Sequence, residues 1–493
     1  MERWRLGDAF GQFMTKPHFH AVALLLLLCT WISLVVCLPV RAETAGETDA
    51  GFAYDEFDLT LEPGHRSEIA GPFYYDEQKQ ETLKIWALPP VLSYSSDPAT
   101  ELLEINIVYP VFSYVRYGQQ YRWQFFQLLA FAGGPSQIET ERKRTTIFPL
   151  YFHQRSSDPT QEYTAIGPFY GHLQHRLFRD EISYIMFPFY SKTLKKNVVT
   201  RNYVYPFGHV REGDGLDGWQ IWPFYGVERK GITTKTNGFG DVELIPGYHT
   251  SFAMWPIFAN QETGLGTDNP QSQRLIFPFY NVFRSPLRDS TTIMWPFFTS
   301  IDDREKGYRE LQSPWPFITF ASGSKTISRV WPFYSHAYNT NLQSDVILWP
   351  LYTFTHLRSA PLDRARARIM FFLYSDLNEK DTARNLSRRR IDLLPLFTWR
   401  REYNGNTRLQ VFAPLEPVLP ANHNIEREYS PVWSVWRSEK NPKTGHASQS
   451  LLWNLYRRET TPQSRKVSFF FGLYQSRKSE EGTHTRLFYI PLN

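Results

Sequence analysis

The sequence predicts an all-β protein, an antiparallel meander of roughly twenty copies of one strand repeat. Three observations carry this. A short aromatic-proline motif recurs along the chain; aromatic residues make up 16% of the 493 residues, with 34 prolines; and no long apolar helical run remains after the N-terminus. Aromatic and β-branched residues favour pleated surfaces, and prolines favour turns and edges.

The motif appears as Gly71-Pro72-Phe73-Tyr74, Phe187-Pro188-Phe189-Tyr190, Trp222-Pro223-Phe224-Tyr225, Trp295-Pro296-Phe297-Phe298, Trp331-Pro332-Phe333-Tyr334 and Trp349-Pro350-Leu351-Tyr352. Degenerate copies, such as Phe371-Phe372-Leu373-Tyr374 and Trp453-Asn454-Leu455-Tyr456, lack the proline. In a typical unit, Arg274 to Arg284, an apolar centre lies between polar flanks and is followed by a turn at Ser285-Pro286-Leu287-Arg288-Asp289. With a period near ~20 residues, the unit reads as one long strand plus one turn, and short connections make neighbours antiparallel.

Proline inside a strand removes a ladder hydrogen bond, although it keeps the residue before it extended. Two arrangements satisfy this: a row of prolines creasing the sheet, which is the expected one, or a motif that marks strand ends. Alternation through Val330-Trp331-Pro332-Phe333-Tyr334-Ser335-His336 makes both faces apolar near the strand centre. The sheet is therefore expected to be covered on both sides, by closure into a large barrel-like, propeller-like or two-layer form.

At the N-terminus, Arg3, Arg5 and Lys16 precede a mostly apolar run from Ala21 to Val40, followed by Arg41-Ala42 and an acidic stretch. Residues 1–42 read as a signal peptide or a helical N-terminal membrane anchor, 43–66 as a polar linker and 67–493 as the β-repeat array. Either N-terminal reading puts the remainder outside the cytoplasm, in the periplasm or outer membrane of a Gram-negative-type bacterium. Cys29 and Cys37 both fall within this first segment, so the array has neither a disulfide nor a thiolate. Setting aside the four basic and two acidic residues up to Arg41 reduces the net charge from +5 to +3, too small a surplus to suggest a nucleic-acid partner.

Chemical signatures are sparse. No nucleophile elbow, phosphate-cradling glycine loop or His-Glu-x-x-His segment occurs, and no cofactor is expected. His172 and His175, and Asp214 with Asp217 in a Gly-rich turn, read as ordinary flank and turn residues rather than metal ligands. Arg364, Arg366 and Arg368 alternate on one strand, with Arg388-Arg389-Arg390 close behind, and could bind phosphates of an outer-membrane lipid or an anionic envelope polymer. Trp222, Trp295, Trp315, Trp331 and Trp349 recur at one motif position and are expected in the repeat core.

The functional expectation is a non-enzymatic envelope scaffold, structural or binding. The alternative is an outer-membrane β-barrel for transport or lipid handling; a glycan-binding or glycan-acting protein is third. Three features count against the barrel: aromatics at mid-strand, prolines at membrane depth, and apolar centres shorter than a spanning strand.

Overall fold

The computed structural model describes residues 50–135, 141–236, 241–420, 422–480 and 482–492. The N-terminal segment, read above as signal or anchor helix, lies outside these residues. Strands are numbered in chain order from β1 (Asp55–Asp58) to β45 (Ile490–Pro491), and 43 of them form a single antiparallel sheet. Each strand pairs with the next. The one interruption is the separate hairpin of β20 (Thr233–Thr236) and β21 (Val242–Ile245), so β19 (Tyr225–Lys230) pairs with β22 (Gly247–Ala253). Sheet pairing begins at Asp55, inside the stretch read as linker.

The strand count corrects the sequence reading: each repeat holds two short strands, not one long one. In one stretch, β14 (Arg179–Ile185), β15 (Tyr190–Lys195) and β16 (Val198–Tyr203) are joined by Met186-Phe187-Pro188-Phe189 and then by Lys196-Asn197. The motif is a turn. Ile185 pairs with Tyr190 across it, the peptide before Pro188 is cis, and the Phe189 N–H donates to the Met186 carbonyl at 2.8 Å. The expected crease does not form, because the proline lies where no ladder hydrogen bond is required.

Two turns per repeat have a geometric consequence. Successive hairpins alternate ends, so every aromatic-proline turn falls on one rim of the ribbon and the short, mostly polar turns fall on the other. Six-residue strands make this ribbon about 20 Å wide.

The expectation of two apolar faces is also corrected. One face carries small or polar side chains next to the aromatic rim, including Ser191, Asn202, Thr292, Thr299 and Ser335, with Thr299 donating to Thr292 across the pair at 3.1 Å. The opposite face is apolar along the row that flanks the turns, as in Ile185–Tyr190, Ile276–Tyr280 and Ile347–Tyr352, and near the start of the sheet the apolar surface extends a second row, through Trp86–Tyr94 and Tyr114–Trp123. In the middle of the sheet that second row is mixed, with Ser183–Lys192 and Arg274–Val282. Among the described residues, buried apolar side chains are few, with a small cluster at Tyr163, Ala165 and Leu173. Most of the sheet is a single layer stabilised by its ladders.

The sheet is not closed by strand pairing and does not divide into blades. Its ends meet face to face instead, polar face against polar face. Thr60 donates to Ser448 at 2.7 Å, Tyr75 to the Arg427 carbonyl at 2.8 Å, Ser93 to Glu428 at 2.6 Å and Asn454 to Glu68 at 3.0 Å. The Arg457 guanidinium covers the Phe57 ring at 3.2 Å. Between the two ends lie two short helices, α1 (His423–Glu428) and α2 (Ser430–Trp433), inserted where a rim turn would otherwise join β38 (Thr407–Val411) to β39 (Trp436–Lys440). Asn422 caps α1 by accepting from the Asn424 and Ile425 amides.

Glu426 fastens this seam by accepting from Arg400 at 2.6 Å and Arg408 at 3.3 Å. Burial opposes its ionisation, yet Arg408 and Arg400 hold its carboxyl down to about 2. A depressed folded pKa contributes stability that is complete above the ordinary carboxylate value of 4.5 and is lost as the pH falls toward about 2. Glu428 acts in the opposite sense, since burial raises its pKa against the Ser93 and Tyr109 hydrogen bonds, so its protonation favours the folded seam. The protection of α1 amides, measured against the intrinsic exchange rate at each pH, should therefore fall between about pH 4.5 and 2 by more in the native chain than in Glu426→Gln. Equal acid sensitivity of the two proteins would refute this assignment.

Candidate lipid-facing rim

The rim is built from backbone outward. In each full turn the aromatic preceding proline keeps its N–H, and proline keeps its carbonyl, so adjacent turns continue the ladder past the strand ends. Tyr205 N–H donates to the Pro188 carbonyl at 2.7 Å, Trp255 to Pro223 at 2.6 Å, Trp295 to Pro278 at 2.7 Å and Trp349 to Pro332 at 2.7 Å. The missing proline N–H costs nothing here, because it has no acceptor to serve.

Side chains repeat the same order. Trp222 and Trp255 have ring centroids 6.0 Å apart, Trp295 and Trp315 6.1 Å, and Trp331 and Trp349 5.5 Å. Phe207, Phe277, Phe317 and Phe371 link these pairs to neighbouring turns. The five tryptophans singled out in the sequence do line up, but on the rim rather than among buried residues: Trp295, Trp315 and Trp349 are exposed, and Trp222 and Trp331 half-buried. The residue after proline projects further, with Phe224 61%, Phe279 62% and Phe333 62% exposed.

The left-handed positions are the most informative. Met186, Val204, Met254, Met294, Leu348 and Met370 open their turns with φ between 47° and 52°, and all are exposed. An L-residue there costs about 1–2 kcal/mol, and glycine or asparagine is the usual solution. The opposite rim adopts that solution with Lys196-Asn197 and Asp214-Gly215, although Leu177-Phe178 is an exception. One rim thus places apolar side chains where both backbone and water disfavour them. Met294→Gly should raise stability in detergent-free buffer by about 0.5–1 kcal/mol while weakening any apolar association of the rim, as read by a denaturant midpoint and a partition assay.

The other residues of the sequence reading fall elsewhere. Asp214 accepts from Lys230 at 2.8 Å, and among the described residues no group of three metal-binding side chains converges. His172 contacts Ser183 at 3.0 Å. Arg364, Arg366 and Arg368 share the polar face of β34 (Leu362–Ile369), while Arg389 is on the opposite face with Asp376. Sequence reasoning missed the rim because the turns are as apolar as the strands they join. The available signal was the Met, Val or Leu that precedes many of the aromatic-proline pairs.

Neither a family model nor a curated protein matches this chain. Fold and rim together define a class, an open single-sheet β-meander with one apolar edge.

Proposed function

We propose that the protein is an exported, non-enzymatic envelope scaffold that seats on a lipid leaflet through its aromatic-proline rim. The observation carrying this reading is the exposed apolar residue at the left-handed position of turn after turn, at Met186, Val204, Met254, Met294, Leu348 and Met370, a choice that is unfavourable in water and favourable in hydrocarbon. Three further features support lipid over a protein partner. The apolar chemistry is uniform from turn to turn along the ribbon, whereas protein interfaces concentrate affinity in a few anchors. Trp and Tyr dominate its inner row, as they do at membrane interfaces. Phe52, near the start of the described residues, packs on rim residue Phe471 at 5.1 Å, so the chain enters the sheet at this rim.

Depth favours one leaflet over a full span. The turn plus one flanking apolar row is about 10 Å tall, against roughly 15 Å for half a hydrocarbon core and 9–11 residues for a spanning strand. Lys192 and Arg274 then lie near the headgroups. Of the objections raised against a barrel, mid-strand aromatics do not apply here, since the aromatics occupy turns, and the prolines, although at membrane depth, take no hydrogen bond out of a strand ladder.

The test is flotation of the purified full chain with zwitterionic phospholipid vesicles after detergent removal. Co-flotation that survives high salt is the expected result. A monodisperse protein that ignores vesicles, or one that satisfies the rim by self-association without lipid, would overturn the proposal.

A further inference from the structure

Away from the rim, the polar face of three consecutive long strands carries an unbalanced positive charge. These are β34, β35 (Tyr374–Asp381) and β36 (Leu386–Leu393), each eight residues long. Register places Arg364, Arg366 and Arg368 of β34 on the same face as Arg388 and Arg390 of β36, with Glu379 of β35 between them. Glu379, 1% exposed, bridges Arg364 and Arg388, and its carboxyl is held below the usual range despite burial, by Arg388 and then Arg364. Asp392 takes Arg390 at 2.9 Å. Five guanidinium groups thus face two carboxylates.

Arg366 and Arg368 are the surplus. Neither has an ion-pair partner among the described residues, and the Arg366 Nε is shielded from solvent with no acceptor. Burial, with Arg368 and Arg364 beside it, lowers the pKa of Arg366. In register Arg366 lies between Thr355 and Leu377, and Arg368 between Thr353 and Ser375. Two free guanidiniums on one face of one strand, carried by Cα atoms about 7 Å apart and bordered by hydroxyl donors, match an acceptor-rich anion with more than one phosphoryl group.

We propose that this face is a binding site for a multiply phosphorylated ligand, with Arg366 and Arg368 as the phosphoryl-binding pair and Glu379 as the residue that positions Arg364 and Arg388 around it. Arg368 also lies one residue from Ile369, the last strand residue before the rim turn, at the level where a seated leaflet would present its phosphates. Lipid headgroups and soluble phosphorylated polymers both carry this chemistry.

The experiment titrates inorganic tripolyphosphate into the full chain in neutral detergent by calorimetry, so the outcome does not depend on lipid seating. Saturable binding is expected, reduced at least about tenfold in Arg366→Ala/Arg368→Ala and largely retained in the double lysine variant, with unchanged circular dichroism. Equal binding by the native and alanine proteins, or none by either, would overturn the site. A second arm compares flotation on vesicles with and without phosphatidic acid. An arginine-dependent gain on the acidic vesicles assigns the site to lipid headgroups; no gain, with tripolyphosphate binding intact, assigns it to a soluble phosphorylated ligand.

Discussion

Replacing Trp295, Phe297, Trp315 and Phe333 with serine should lower the vesicle partition coefficient by at least about 100-fold while leaving β-sheet circular dichroism unchanged. These side chains belong to three consecutive aromatic-proline turns, and each is about half exposed. Full burial of a large apolar side chain is worth about 1.5–3 kcal/mol, so moving the exposed half of each into hydrocarbon contributes about 1 kcal/mol. Four such losses approach 4 kcal/mol, close to a thousandfold, and the remaining turns keep the observed fall somewhat smaller. Folding should tolerate the change because the sheet is held by strand ladders and turn backbone hydrogen bonds that do not run through these side chains. Phe178→Ser is the matched control, for that side chain is 95% exposed on the opposite rim and should leave partitioning unaltered. Equal losses from both rims would mean that the protein adheres without orientation.

Arg66→Met should weaken the seam by about 3–5 kcal/mol, the second largest effect anticipated. Arg66 lies within β2 (Gly64–Ile69), pairs with Glu68 at 2.8 Å and Glu77 at 3.0 Å, and stacks over Tyr75 at 3.8 Å, with all three side chains buried. Burial works against its charge, yet Glu68 and Glu77 hold its pKa above the ordinary arginine value. Methionine fills much of the volume but leaves Glu68 with Asn454 and Glu77 with Lys79 as their remaining polar partners. Removing one partner of a buried pair is costlier than removing both, so adding Glu77→Gln to Arg66→Met should recover part of the loss. Amide exchange in β1 and β2 reads the effect locally, where a global melt of a long repeat array would blur it. A double variant no more stable than the single one would remove the charge argument.

How far the sequence could be read follows from which residues report backbone state. Antiparallel order and strand content were legible, because the repeat length and short connections leave neighbouring strands no other arrangement. The strand number was not. In Ile293-Met294-Trp295-Pro296-Phe297-Phe298 the apolar run passes without interruption from strand to turn to strand, and polarity, the usual mark of a turn, is missing. Proline alone marked it, and proline was compatible with a creased strand as well as with a turn. Two strands per repeat then took Trp331, Pro332 and Phe333 off the faces and into the turn: Val330 and Tyr334 still share one face, as alternation placed them, but Ser335 pairs with Arg329 on the other, which is polar rather than apolar. The alternation of Arg364, Arg366 and Arg368 did report a shared face, since alternation within one strand survives an error in strand length. Seam residues such as Arg427 and Glu104, joined at 3.2 Å across more than three hundred positions, carry no local signal at all.

The central claim is that the aromatic-proline turns sit within hydrocarbon. Quenching of tryptophan fluorescence by phospholipids brominated at different acyl depths measures this directly in the native chain. Strong quenching that peaks for bromines in the outer half of one leaflet, and is lost when the four rim aromatics are serine, is the predicted result. Fluorescence indifferent to bromine at every depth, from protein that still co-floats with the vesicles, would contradict it.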